Sequence, residues 1–453
     1  MTAGIFSPLR VNHAENGWQK RSLRSLLVQR SERNRADLPL LTVARERGVF
    51  VRSTDDANHN AIPEDLSNYK VAREGDLVIN KMKAWQGSLG LAPVDGIVSP
   101  AYFVFSADFA VPRFGEYLLR SRPYVAKFGA ASDGVRIGQW DLNIPRMRNI
   151  EVNLPPAEQQ AAIVKYLAHA NARIDRAIAA KRRLVSLLEE QKASVAHERL
   201  TRGYEPNDLR GVGLPWADSI PQHWALAPVK RLFSSMVYGT SESSAGEGPV
   251  TAVGMGEIKN GNVAVVRRGG LANIPKGLEL RQNDLLFNRT NSPDLVGKVG
   301  RMTGDCEDLT FASYLVRCRV AEKIDPEWAA YLLNDRAFLG FARSQAFVSL
   351  HQANLSSTRY GALPAVIPPC DEQRRIAEGL RKELAEFNGA VDRVNREITL
   401  LQEFRARLVA DVVTGQVDVR AIVATLPDAP ESIEHPIGGL DDDLEEALVG
   451  SEA

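Results

Sequence analysis

Residues 154–201, LPPAEQQAAIVKYLAHANARIDRAIAAKRRLVSLLEEQKASVAHERLT, return 213 positions later as residues 367–414, IPPCDEQRRIAEGLRKELAEFNGAVDRVNREITLLQEFRARLVADVVT, without a gap. Identities include Pro155/Pro368, Pro156/Pro369, Gln160/Gln373, Ile163/Ile376, Leu167/Leu380, Leu188/Leu401, Glu190/Glu403 and Thr201/Thr414. Each copy opens on a proline pair, which disfavours helix before it and fits the first turn of a helix after it. Acidic residues follow in that turn (Glu158; Asp371 and Glu372), where they complement the helix dipole. In the second copy Leu380, Leu384, Phe387, Val391, Val394, Ile398, Leu401, Leu408 and Val412 alternate steps of four and three, with one step on Arg405. That heptad seam predicts a coiled coil. The first copy keeps the register with Leu167, Ile174, Ile178, Val185, Leu188 and Val195 but sets Asn171, Lys181 and Lys192 on the seam. Long basic stems can lie along such a seam with their heads in water. About 40 residues of helix span roughly 60 Å. The competing reading is two amphipathic helices, each buried in its own domain.

Outward from this repeat the echoes weaken but continue. GDLVINK (75–81) parallels NDLLFNR (283–289), the glycines Gly87 and Gly90 parallel Gly297 and Gly300, and Tyr102 parallels Tyr314. Trp18 precedes SLRSLL as Trp224 precedes VKRLF; Gln139/Gln352 and Leu142/Leu355 keep the offset of 213. The drift in offset means that loops differ while a scaffold recurs. Short β-branched and aromatic runs (76–80, 102–105, 284–288, 314–320) read as strands, with helical patches at 114–120 and 326–341. A block of about 150 residues holds its own core.

The chain has 453 residues, 56 Lys+Arg and 56 Asp+Glu, for a formal net charge of zero. That zero hides an asymmetry. Residues 421–453 hold nine acids and no Lys or Arg, which leaves residues 1–420 at +9, with +5 in residues 1–152 alone. The acidic stretch, rich in Pro and Gly, reads as a disordered tail. Three cysteines cannot build a disulfide framework or a four-thiolate zinc site, and no apolar run has the length of a membrane span or signal core, so a soluble cytoplasmic protein is expected. No phosphate loop, zinc spacing or G-x-S-x-G elbow occurs, and Glu257-Ile258-Lys259 is too short a match to mark a nuclease. A binding protein is expected rather than an enzyme, with no cofactor and no metal of its own.

The order and duplication of these motifs, LPPAEQQ and IPPCDEQ opening the helices, GDLVINK and NDLLFNRTNS in the blocks, and IPQHW (220–224) entering the second block, resemble the specificity subunit of a type I restriction-modification system. The resemblance covers nearly all of the chain up to about Arg420. It implies an α+β architecture: two mixed α/β target-recognition domains (1–152 and 205–365) separated by two long conserved helices (153–204 and 366–420) that form an antiparallel coiled coil. The whole has a pseudo-twofold internal repeat, followed by the tail at 421–453. It implies double-stranded DNA as partner, each domain reading one half of a bipartite target, and the helices as spacer and docking site for two methyltransferase subunits. Those subunits would bring S-adenosylmethionine and methylate adenine, and restriction motor-nuclease subunits would join them.

Base edges are read best by side chains with paired donors and acceptors, and phosphates by Lys and Arg. On that ground the candidates in the first block are Lys81, Lys83, Trp85 and Gln86 after the 76–80 strand, with Arg136, Gln139 and Trp140 in a second loop. The equivalents in the second block are Arg289, Thr290, Asn291 and Ser292, with His351, Gln352 and Asn354. Gln139 and Gln352 recur in both repeats, so a fold-supporting role stands beside base reading for them. The rival functions are a coiled-coil scaffold joining two protein-binding domains without DNA, and a fused nuclease or methyltransferase with unrecognised motifs.

Overall fold

The long repeat forms two unbroken helices, Ala157–Arg202 and Cys370–Val413, in a computed structural model that describes residues 17–45, 47–52, 65–134, 140–242, 246–349 and 352–430. The chain divides into two compact units, residues 1–182 with 396–453, and residues 183–395. Each unit therefore holds one block and half of each long helix, which differs from a linear series of four segments. The reason is visible inside each unit. In the first, Asp175 accepts from Arg405 at 2.6 Å and Lys181 pairs with Glu397, so numbers rise on one helix as they fall on the other. In the second, Arg199 pairs with Glu383 at 3.5 Å, and Leu200 shares a core with Ile376 and Leu380. The helices are antiparallel, and the start of one meets the end of the other.

Every seam position anticipated from the heptads is buried or half-buried, whereas Leu184, Leu187, Leu400 and Phe404, off the seam, are exposed. The polar seam positions are used: Arg405 and Lys181 make the ion pairs above, and Asn171 donates to the Tyr117 hydroxyl at 3.5 Å.

In the first unit the central sheet runs, in spatial order, Leu27–Arg30, Tyr102–Ala107, Leu77–Asn80 and Leu89–Leu91, all antiparallel. In the second unit Phe233–Tyr238, Leu315–Val320, Leu285–Asn288 and Val299–Arg301 repeat that order, and two short strands, Asn262–Val263 and Ile258–Lys259, extend it. Two helices follow each sheet: Pro112–Arg120 and Arg122–Ala130, then Pro326–Asn334 and Arg336–Ser344. The single helical patch expected at 326–341 is thus two helices. Asp335 breaks it, because its carboxylate caps the second helix by accepting from the N–H groups of Ala337 and Phe338. Each block closes on itself: Gln19–Ser22 pairs with Glu151–Leu154, and Ala225–Pro228 with Pro364–Ile367, immediately before the proline pairs.

The repeated motif residues hold this frame. Gly75 (φ 80°) and Asn283 (φ 68°) both occupy the left-handed region, which Gly and Asn tolerate best. The next residues, Asp76 and Asp284, are buried and accept from the backbone N–H of Arg73 (2.9 Å) and Arg281 (2.8 Å). Each also pairs with an arginine, Arg30 at 3.0 Å and Arg319 at 3.0 Å. Burial raises the Asp76 pKa, against the pull of the Arg73 N–H and Arg30.

At the helix starts Gln160 accepts from Val111 N at 3.1 Å and donates to Pro155 O at 2.9 Å. Gln373 does the same with Asp325 N at 2.8 Å and Pro368 O at 2.9 Å. Trp18 donates to Gln159 at 3.2 Å and Trp224 to Glu372 at 2.7 Å, so glutamine serves where its counterpart is a glutamate.

The first part of the expected tail is folded. Arg420–Val423 is a short helix, Ile422, Val423 and Leu426 pack on the core of the first unit, Asp428 pairs with Lys165 at 3.0 Å, and His169 bonds Pro427 O at 2.9 Å. The apolar Ile-Val-x-x-Leu spacing outweighs the acidic composition that follows it. Residues 431–453 lie outside the described residues. No helix among the described residues is long and apolar enough to cross a membrane.

Candidate nucleic-acid interface

In both units the end of the third strand in spatial order is crossed by a loop from about 60 residues further along the chain. The link is one backbone bond in each: Leu142 N donates to Lys81 O at 3.0 Å, and Leu355 N donates to Arg289 O at 2.8 Å. Leu142 and Leu355 are the repeat partners noted above, and the two sequence-predicted loops of each block are therefore brought together.

In the first unit Asn80 turns the chain by accepting from Met82 N at 3.1 Å, and Ala84–Gln86 forms a single 3-10 turn. Trp85 and Trp140 meet with ring centroids 5.2 Å apart at 49°, and the Trp85 indole N–H donates to Met82 O at 3.1 Å. Lys83 is exposed and Gln86 half-buried, whereas Lys81 is paired with Asp141. Nearby Lys70 donates to Tyr102 O at 2.6 Å and Pro100 O at 2.8 Å; burial lowers its pKa, and Arg33 and Lys81 lower it further. Cations thus crowd this end of the sheet. Arg136 and Gln139 lie outside the described residues.

In the second unit the same junction is a three-stranded sheet: Thr290–Asn291, Gln352–Asn354 and Phe347–Ser349 in spatial order, all antiparallel. Gln352 is exposed, and Asn291, Ser292 and Asn354 are half-buried. Thr290 is buried in the sheet. Arg289 is tied: its guanidinium stands 5.1 Å over the Tyr238 ring and donates to Ser313 O at 3.3 Å, while the Tyr238 hydroxyl bonds Ser357 Oγ at 2.7 Å. It braces the strand end more than it reaches outward. Lys298 lies close to Arg343; burial and then that arginine lower its pKa. His351 lies outside the described residues.

The sequence reasoning missed Asp141, which partly neutralises Lys81, and Tyr238, which holds Arg289. It also missed Phe347 and Val348, which stand in water beside the candidate residues. One signal was available: residues 336–362 contain three arginines and no acid. Among the described residues no group of three His, Cys, Asp or Glu side chains could hold a metal ion.

No family model matches the chain. A protein of Methanocaldococcus jannaschii, named as a type I restriction enzyme MjaX specificity subunit, is 23% identical over 203 residues, which are 43% of this chain and 46% of that protein. The match spans about half the length of that relative. A solved chain, described in connection with complex assembly and conformational transition of the type I restriction-modification system, superposes with a TM-score of 0.62 at 18% identity, over 90% of this chain and all of that one. The HsdS subunit from Thermoanaerobacter tengcongensis gives a TM-score of 0.45 at 17% identity over 92% of this chain and 99% of its own. The first of these solved chains shares the fold; the second superposes too loosely to carry a fold argument. The chain is therefore similar in sequence to a type I restriction specificity subunit and has the fold of a type I restriction-modification chain.

Proposed function

We propose that this chain is the DNA-recognition subunit of a type I restriction-modification complex. Residues 1–152 and 205–365 each read one half of a bipartite duplex target. The two long helices serve as spacer and as docking site for two methyltransferase subunits, whose bound S-adenosylmethionine supplies the methyl group. Restriction motor-nuclease subunits complete the assembly, and this chain supplies recognition.

The observation that carries the reading is the paired junction: one backbone link, Leu142 to Lys81 and Leu355 to Arg289, builds the same platform twice and dresses it with different side chains. A shared frame with unlike tips is what reading two unlike half-sites requires. The recurring glutamines bear on the choice as well. Gln160 and Gln373 are spent on the fold, so what varies between the units is left for specificity.

The test is methylation mapping of DNA from cells with and without this chain, co-expressed with its methyltransferase. A bipartite modified motif is expected only with the chain present. Exchange of residues 1–152 for the block of a relative should then change one half of the motif. A change in both halves, or no sequence-dependent modification at all, overturns the reading and favours a scaffold without DNA.

A further inference from the structure

Phe347 and Val348 are among the most exposed large apolar side chains of the described residues, at 67% and 54%. They are consecutive on an edge strand, so one projects on each face of the three-stranded sheet and both meet water. An edge strand that exposes apolar side chains invites a partner, and natural edges usually carry charge instead. The register shows what lies beside them. Phe347 stands directly across from Asn354, and Asn354 across from Thr290; Val348 stands across from Ala353, and Ala353 across from Asn291. Directly opposed residues share a face, which sets the Phe347 ring next to the amide of Asn354 and Val348 in the row that ends on Asn291.

The electrostatic setting points to the partner's chemistry. The segment from 336 to 362 carries Arg336, Arg343 and Arg359 and no acid. Arg359 is exposed and donates to Gln345 O at 3.4 Å, two residues before Phe347. An apolar tip beside an exposed arginine suits a polyanion with apolar groups on its edge. In the major groove the only such group is the C5-methyl of thymine, next to the adenine edge that an asparagine amide can bind. In the first unit the place opposite Asp141 is held by Asp133, in an ion pair with Arg146 at 2.6 Å. Where the second unit sets Phe347, the first therefore sets a carboxylate.

We infer that the Phe347–Val348 edge is a specificity element for the second half-site, meeting a thymine methyl while Asn354 addresses the neighbouring base edge. The inference rests on the DNA-recognition reading above. It assigns unlike chemistry to the matching positions of the two hairpins, an apolar ring at Phe347 and a carboxylate at Asp133.

The experiment uses the full chain in complex with its methyltransferase subunits. A preferred duplex is first selected from a randomised pool. Each thymine is then replaced by deoxyuridine, which removes only the methyl. In the half read by residues 205–365 one replacement should weaken binding roughly fourfold, the worth of one buried methyl. The double variant Phe347→Thr/Val348→Thr, which keeps β propensity, should bind thymine and uracil duplexes equally. Its salt dependence should match the parent's, since no charge is removed. Three results overturn the inference: no uracil-sensitive position in that half, undiminished thymine preference in the variant, or loss of methyltransferase binding with DNA preference intact. The last would make the edge a protein contact. Failure of the parent complex to select any bipartite duplex is a separate result that overturns the underlying reading as well.

Discussion

The helix that follows the central sheet is PRFGEYLLR (112–120) in the first unit and PEWAAYLLN (326–334) in the second, and the two meet the matching strand, Leu89–Leu91 or Val299–Arg301, by different means. Phe114 and Trp328 fill matching core positions and are fully buried. Two residues on, the first unit buries Glu116 between Arg113 and Arg120, and Arg120 also donates to Arg45 O at 2.7 Å. The second unit has Ala330 there. Its helix instead ends on Asn334, which donates to Val299 O at 2.8 Å and accepts from Val299 N at 3.0 Å. A buried carboxylate needs its cations at all times, whereas a neutral amide clamp is indifferent to salt. The apolar and motif positions of the two units are thus interchangeable in role, while the polar positions between them are individual solutions.

The largest expected effect breaks one core and spares the other. Trp328→Ala should cost about 3–5 kcal/mol, as large-to-small changes in a packed core do. Hydrogen exchange should show the loss in residues 183–395, with Phe114→Ala giving the converse. Equal loosening of both units would break the picture of two separate cores. Next, Glu116→Ala should cost about 1.5–3 kcal/mol, since it removes the buried carboxylate that both Arg113 and Arg120 donate to. Denaturant unfolding at low and high salt should show a salt-dependent penalty for Glu116→Ala and a salt-independent one for Asn334→Ala.

The motif glutamines should behave alike. Gln160→Leu and Gln373→Leu each strand a backbone N–H and a carbonyl at a helix start, for about 1–2 kcal/mol apiece. A large difference between the two would show that the repeat is equivalent in sequence only.

A pH effect should separate the units. His197 bonds Asp335 at 3.0 Å, and that bond, against burial, raises its pKa; Arg202 lowers it and Asp218 raises it again. The repeat partner of His197 is Ala410, so the first unit has no histidine at the matching position. A raised histidine stabilises the fold fully below its unfolded pKa of about 6.5 and loses that contribution as pH rises through the folded value. The second unit should therefore weaken as pH rises from about 6.5 through the raised folded value, measured by exchange or thermal unfolding, and His197→Gln should flatten the response. The smallest effect is expected at the helix pair. Arg405→Ala and Arg199→Ala remove partly exposed ion pairs and should cost about 0.2–1 kcal/mol each.

Much of the frame was readable in advance because its signals are local and periodic. The proline pairs, the heptad steps and the strands after Asp76 and Asp284 each depend on a few adjacent residues. They recur in the fold where the spacing put them. The break at Asp335 was missed because apolar periodicity runs through it, and only the capping bonds reveal it. The candidate loops were found as pairs, but their members were not ranked. Thr290 is covered, Arg289 is braced by Tyr238 and Lys81 is paired with Asp141, and each outcome depends on a side chain far away in the chain.

The amino-acid sequence alone determined that this protein is a duplicated α+β chain with two long seamed helices, because repetition and heptad spacing are properties of order along the chain. Tertiary structure alone decided which polar groups at the two sheet ends stay available and that Phe347 and Val348 stand in water. Availability is set by whatever the fold lays across a residue, and composition carries no record of that.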